Sequence, residues 1–210
     1  MESDIDRPEP KVDVADARTG ESPFGTFARY DGQFMTPYLA VGSRPHPEDV
    51  ADIVQSGIRG ILNTASFGPK IAFDYIQHLP ESVRWMICGF WDGYLGKGEP
   101  GVSEELTPAY ARLVVIRAAE MLRDHGPLLV HCMGGKGRSG NVAAILYAAR
   151  EKVTVDEAIE RMRAIRPVLS PFRHTRFWRN VVASEMVELA THILNNPDLP
   201  PEEIRGLIRG

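Results

Sequence analysis

Cys132 and Arg138 stand six positions apart in the run His131-Cys132-Met133-Gly134-Gly135-Lys136-Gly137-Arg138-Ser139-Gly140. A cysteine thiolate is a strong nucleophile, and a guanidinium is a planar, permanently charged fork that holds two oxygens of one phosphate at once. The glycines between them reach the backbone angles of a tight turn without a Cβ penalty. This spacing suits attack of sulfur on phosphorus while the phosphate oxygens are gripped by the arginine.

The flanking elements must position that pair. Pro127-Leu128-Leu129-Val130, bounded by Gly126, reads as a buried strand, and Asn141 to Arg150, rich in alanine and leucine, reads as a helix. Strand, tight loop and helix in that order let the loop N–H groups converge on a point that also faces the positive end of the helix dipole. Amide dipoles and Arg138 then favour the thiolate of Cys132 and depress its pKa. His131 can brace the loop by hydrogen bonding, and Ser139 can donate to the sulfur, stabilising it as nucleophile and as leaving group. Met133, Gly134, Gly135, Lys136, Gly137 and Arg138 are accordingly expected to bind a phosphoryl group. A lone cysteine in a strand is usually a small buried hydrophobe. Such a cysteine, however, has no reason to precede three glycines, a lysine and an arginine.

The run resembles the signature of the cysteine-dependent protein tyrosine phosphatases, His-Cys-x5-Arg-Ser/Thr-Gly, and looks most like the dual-specificity branch. The resemblance continues in order through Tyr38-Leu39-Ala40-Val41-Gly42, Ile58 to Asn63, Arg166-Pro167 and Ser170-Pro171, covering roughly residues 34 to 195. It implies an α/β fold, a central, mostly parallel sheet flanked by helices, with the phosphate-binding loop between strand and helix. It also implies hydrolysis in two steps through a phosphocysteine, with no metal and no cofactor. Cys132 would attack phosphorus, Arg138 would hold the equatorial oxygens, and a carboxylic acid on an upstream loop would protonate the leaving group. Phe172 follows Pro171 where the dual-specificity pattern usually offers asparagine, which bears on how water is placed for the second step.

For the acid, Val83 to Cys88 reads as a strand and Gly89 to Gly101 as a long glycine-rich loop. Asp92, next to Trp91, is the expected general acid, with Glu99, Glu104 and Glu105 as alternatives; its plain reading is a solvated turn residue. Cys88 is either a buried strand cysteine or a resolving thiol for oxidised Cys132, on a strand expected beside the catalytic one.

Substrate choice is open between phosphoproteins, at tyrosine and at serine or threonine, and phosphoinositides. The lipid alternative rests on Lys136, because Gly-Lys-Gly-Arg looks like the loop of phosphatases acting on inositol phospholipids; a solvated Lys136 is the bland counterpart. Arg173, His174 and Arg176 are either a site for a second phosphate or an acidic peptide, or a solvated helix start. Cleft depth is expected to be set around Tyr38, Phe67 and Phe172. Two further classes are a module that binds phosphate without turnover, opposed by the intact Cys132, Arg138 and Ser139, and a sulfur-transfer enzyme, opposed by Arg138-Ser139-Gly140 opening a helix.

Elsewhere Tyr38 to Val41 reads as a strand, Pro47 to Ser56 as a helix, and Gly57 to Asn63 as a turn into a second strand. Thr107-Pro108 starts a helix, Thr154 and Glu157 form a capping-box pattern, and a last long helix runs from about Thr175 to Leu194. Alternating strands and helices predict a mostly parallel sheet covered on both faces.

At 210 residues and 43% hydrophobic content the chain suffices for one catalytic domain, expected over 26–197, between a loose arm at 1–25 and a tail at 198–210 with the makings of a short helix. A net charge of -4 speaks against nucleic acid as partner. No apolar run approaches the roughly 20 residues of a membrane span, and the N-terminus lacks the basic and apolar regions of a signal peptide. Cys88 and Cys132, the two cysteines, are too few for a disulfide scaffold and fit a reducing cytoplasm. His46, His78, His125 and His192 show no metal-ligand spacing. The oligomeric state is open.

Overall fold

The computed structural model describes residues 22–65, 74–90, 108–171 and 183–209. Five strands form one sheet: β1 (Gly32–Thr36), β2 (Leu39–Gly42), β3 (Gly60–Asn63), β4 (Arg84–Ile87) and β5 (Leu128–His131), in the order β1-β2-β5-β3-β4. β1 runs antiparallel to β2, and every other pairing is parallel. The helices are α1 (Val50–Gln55), α2 (Pro108–His125), α3 (Arg138–Glu151), α4 (Val155–Ile165), α5 (Ala183–Asn195) and α6 (Pro201–Arg209).

Side chains alternate across a strand, and both faces of the central strands are apolar. Leu39, Val41, Leu62, Leu128 and Val130 face the core built with α2 to α5, whereas Ala40, Ile61 and Leu129 face a smaller core with Val50, Ile53, Tyr75, Phe27, Tyr30 and Phe34. The expected mostly parallel sheet between two layers is the observed one. β5, with strands on both sides, is buried along its length, so the loop that follows it is rooted in the centre of the sheet.

α3 lies inside the helical layer, in contact with α2, α4 and α5 and with β2 and β5, and is buried from Arg138 to Ala149. This explains why its sequence carries no amphipathic stripe. Thr154 caps α4, its Oγ1 accepting the Glu157 N–H at 3.2 Å.

Several expectations are corrected. The helix opening at Pro47 is a 3-10 turn, Pro47–Asp49, followed by the short α1. α3 starts at Arg138, ahead of the Asn141 to Arg150 run and as the helix-opening Arg138-Ser139-Gly140 suggests, which puts the arginine in its first turn. β1 was not anticipated, and ordered packing begins well before Phe34: the Ser22 hydroxyl donates to the Phe34 carbonyl at 2.5 Å, and Phe27 and Tyr30 are buried. β3 separates β4 from β5, so the Cys88 strand does not adjoin the catalytic one. Tyr38 precedes β2 at the end of the sheet remote from the Cys132 loop, bonded to Glu151 and under Arg150, and so cannot wall a cleft there. At the C-terminus, Leu199, Ile204, Leu207 and Ile208 lay the tail and α6 against the helical core. The last long helix is described from Ala183, and its expected start near Thr175 lies outside the described residues. Among the described residues no helix is long and apolar enough to cross a membrane.

Candidate active site

The loop from Cys132 to Gly137 joins the end of β5 to α3. Its carbonyls, and that of His131 just before it, are held from outside by the segments that follow β2, β3 and α4. The His131 carbonyl accepts the Thr64 N–H at 2.8 Å and the Thr64 hydroxyl at 2.9 Å. The Met133 carbonyl accepts from the Arg44 N–H at 3.1 Å, the Gly135 carbonyl from Arg166 Nε at 3.3 Å, and the Lys136 carbonyl from the Ser170 N–H at 3.1 Å. In a planar trans peptide C=O and N–H point in opposite directions. Pulling the carbonyls of 133, 135 and 136 outward therefore turns the N–H groups of Gly134, Lys136 and Gly137 inward, which is the nest an anion needs.

Cys132 is buried at the base of this nest, and its Sγ is 3.4 Å from Ser139 Oγ. Burial alone would push the thiol up, but the Ser139 hydroxyl and N–H, the Arg138 charge and the Lys136 N–H oppose it, and the net pKa falls below the ordinary cysteine value. Its surroundings thus favour the thiolate, the form in which a cysteine sulfur can act as a nucleophile. Arg138 is buried beside it, and its Nη1 donates to the Phe90 carbonyl at 3.4 Å.

His131 is fully buried, which drives its pKa down to about 4 and keeps it neutral. Its Nδ1 lies 3.3 Å from the Cys132 carbonyl, which can only accept, so Nδ1 carries the proton. Nε2 then accepts from the Tyr75 hydroxyl at 2.7 Å. Tyr75 was not anticipated from sequence; it anchors the ring that braces the loop, and nothing in its neighbourhood in the chain announces a partner 56 residues away.

Gly135 is the conformational keystone, with φ +60° and a hypothetical Cβ 2.5 Å from the Gly42 carbonyl carbon and 2.6 Å from the Ser43 nitrogen. Those are backbone atoms with little room to retreat, because the Tyr30 hydroxyl bonds the Ser43 carbonyl at 2.5 Å and the Ser43 N–H bonds the Asp31 carbonyl at 2.9 Å. Adding a left-handed penalty of about 1–2 kcal/mol to overpacking of about 1–3 kcal/mol, Gly135→Ala is expected to destabilise the fold by about 3 kcal/mol. Urea unfolding checks this, and a loss below about 1 kcal/mol would mean that the loop and the end of β2 separate freely.

Met133 and Lys136 are exposed at the mouth of the loop. Asp92, Glu99, Glu104, Glu105, Phe67, Phe172, Arg173, His174 and Arg176 lie outside the described residues. The strand entering the Asp92 loop is anchored nonetheless: Phe90 is buried, and the Gly89 carbonyl accepts from the Tyr110 hydroxyl of α2 at 2.8 Å.

Cys88 sits one residue past the row that pairs Ile87, Asn63 and His131 across three strands, and Cys132 one residue past the same row. Two strand spacings put their Cα atoms about 10 Å apart, beyond the roughly 7 Å that a disulfide spans. Burial also pushes the Cys88 thiol up to about 11. Its buried environment favours the structural reading over the resolving thiol.

Residues 99–186 match the family described as Swiss Army Knife protein, DSP-PTPase phosphatase domain. No curated protein sequence matches the chain. Among solved structures, P. aeruginosa TpbA is similar at TM-score 0.55 and 17% identity, over 82% of this chain and 95% of that one. The same protein, as a cysteine-to-serine variant in complex with phosphotyrosine, is similar at TM-score 0.52 and 16% identity, over 81% and 99%. A mouse putative dual specificity phosphatase complexed with zinc tungstate is similar at TM-score 0.53 and 18% identity, over 84% and 96%. The fold is thus that of the dual-specificity phosphatase structures, and residues 99–186, which include the signature loop, are similar to their phosphatase domain.

Proposed function

We propose that the protein is a metal-independent phosphomonoester hydrolase that acts through a phosphocysteine, with phosphoproteins as substrates at tyrosine and at serine or threonine. The observation that carries this reading is the Cys132 sulfur, held below its ordinary pKa by Ser139, Arg138 and the Lys136 N–H inside a ring of inward amides. The thiolate attacks phosphorus, the bond to the leaving oxygen breaks, and that oxygen takes a proton. Water then displaces the sulfur, which leaves as a thiolate stabilised by Ser139. Met133, Gly134, Gly135, Lys136, Gly137 and Arg138 surround the phosphoryl group. The TpbA variant that resembles this chain binds phosphotyrosine, which supports an aryl phosphate as substrate.

Asp92 is the proposed proton donor. Its support is Phe90, two residues upstream, whose carbonyl lies on Arg138. Proton transfer contributes about 10²–10⁴-fold, and an alkoxide needs the proton more than a nitrophenoxide does. Asp92→Ala is therefore expected to lose about 10²-fold or more on an alkyl phosphate and much less on an activated aryl phosphate. Full activity on the alkyl substrate would pass the role to Glu99, Glu104 or Glu105.

The phosphoinositide reading is favoured by one observation, the exposed Lys136 at the loop mouth. A panel of phosphopeptides, phosphoinositides and an aryl phosphate, run in the presence of a chelator and followed by acid quench and mass spectrometry of the Cys132 peptide, tests the proposal. Aryl phosphate turnover with a phosphorylated Cys132 peptide is the expected result. Folded protein that binds phosphate without hydrolysing any member would overturn it in favour of a phosphate-recognition module.

A further inference from the structure

Arg166 is 5% exposed, yet it belongs to neither the signature loop nor the helix behind it. A buried guanidinium is costly unless its donors are matched. Here Nη2 pairs with Asp31 Oδ1 at 3.0 Å, and Nε donates to the Gly135 carbonyl at 3.3 Å. The Gly135 carbonyl shares its peptide plane with the Lys136 N–H, and that N–H is one of the donors to the Cys132 sulfur. A continuous line thus runs from the Asp31 carboxylate through the guanidinium and one peptide unit to the nucleophile, although Asp31 and Arg166 are 135 residues apart in sequence.

We propose that Arg166, fixed by Asp31, is a positioning residue that aims and polarises the Lys136 N–H at the Cys132 sulfur. Hydrogen bonds in a chain strengthen one another, and a cation on the carbonyl side of an amide makes its N–H a better donor. Asp31 is itself fixed from the N-terminal side. Asp52 accepts the N–H groups of Ala28, Arg29 and Tyr30 at 2.7–2.9 Å, and the Asp31 carbonyl takes the Ser43 N–H. The segment before β1 therefore clasps the loop from two sides, through Ser43 against Gly135 and through Arg166 on the Gly135 carbonyl.

Among the described residues, the other charged or titratable groups near the sulfur are Arg138 in α3 and neutral His131 at the end of β5, with Arg44 beyond His131. The proposal rests on Cys132 being the nucleophile, but its test does not require turnover. The rate of iodoacetamide alkylation of Cys132 against pH, followed on its own peptide by mass spectrometry, reports the thiolate directly, and Cys88 titrates well above it.

In Arg166→Gln the alkylation midpoint is expected to move up by about one unit and kcat on an aryl phosphate to fall about tenfold, with a smaller change in KM. Asp31 has a side chain 66% exposed, so Asp31→Ala is expected to fold normally. Water screens its charge from Cys132, so its effect arises from the loosened guanidinium: a midpoint shift in the same direction but smaller, and no further change when combined with Arg166→Gln. Folded variants, with wild-type near-ultraviolet circular dichroism, whose Cys132 midpoint is unchanged would overturn the proposal. If Arg166→Gln does not fold, an unchanged midpoint in Asp31→Ala has the same force. A wild type that alkylates at a depressed midpoint but hydrolyses nothing would instead count against the phosphatase reading alone.

Discussion

Cys132→Ser is expected to abolish aryl phosphate hydrolysis, a loss of at least about 10⁴-fold in kcat, of the size seen when a covalent nucleophile is removed. The reason is the size of the ionisation gap. The loop's donors offset the burial of Cys132 and bring the thiol below its ordinary value. The same donors act on a serine hydroxyl that starts far more basic, and leave it protonated at neutral pH. Binding should survive, because the inward amides and Arg138 are untouched and the negative charge that repels an incoming phosphate is gone. The variant should therefore hold phosphotyrosine or tungstate at least as tightly as wild type while turning nothing over. Titration calorimetry with tungstate beside a hydrolysis assay separates the two effects, and residual turnover within a hundredfold of wild type would place the nucleophile elsewhere.

The elements that build this site differ in how plainly the sequence announces them. β5 and the loop after it are readable because an apolar run is followed by glycines and a cation in a spacing with few other uses. β2, β3 and β4 follow from short apolar runs bounded by turn residues, and the Thr154 cap from its hydroxyl three residues before Glu157. β1 escapes because Phe34, Met35 and Thr36 are all buried and a register shift between Phe34 and Thr36 breaks the alternation that marks a strand. The first turn of α3 is legible as the helix opening at Arg138-Ser139-Gly140, although the alanine- and leucine-rich run that marks the helix by composition begins only at Asn141.

The supporting residues were the least legible. Tyr75 and Arg166 have ordinary local surroundings, and Arg166 draws notice from sequence only as part of an Arg-Pro pair. Their roles come from contacts over 56 and 135 residues, made by a crossover topology that brings the ends of β2, β3 and β5 to one edge. Periodicity is local, so it cannot report such pairs. What the sequence does carry is the chemistry proposed for the loop itself, because the proposed nucleophile and its anion grip fit within ten consecutive residues.

Arg138→Lys is expected to cost about 10³-fold in kcat/KM, although the charge is conserved. Two properties of Arg138 are separable. As a cation it lowers the Cys132 pKa, a role a buried ammonium can partly fill. As a fork it would present parallel donors to two equatorial phosphate oxygens while another donor stays on the Phe90 carbonyl, and a point charge on a flexible stem could not match that geometry. Donors aimed at developing transition-state charge are worth about 10²–10³ each when removed, and an arginine on a transferring phosphoryl group about 10³–10⁵. The fork should therefore dominate the charge. The diagnostic is a split between two readouts: the alkylation midpoint of Cys132 should move by less than about one unit in Arg138→Lys, whereas phosphate release collapses. If activity instead stays within tenfold of wild type, charge alone carries the role. If the midpoint rises as steeply as the activity falls, Arg138 serves the sulfur more than the phosphate.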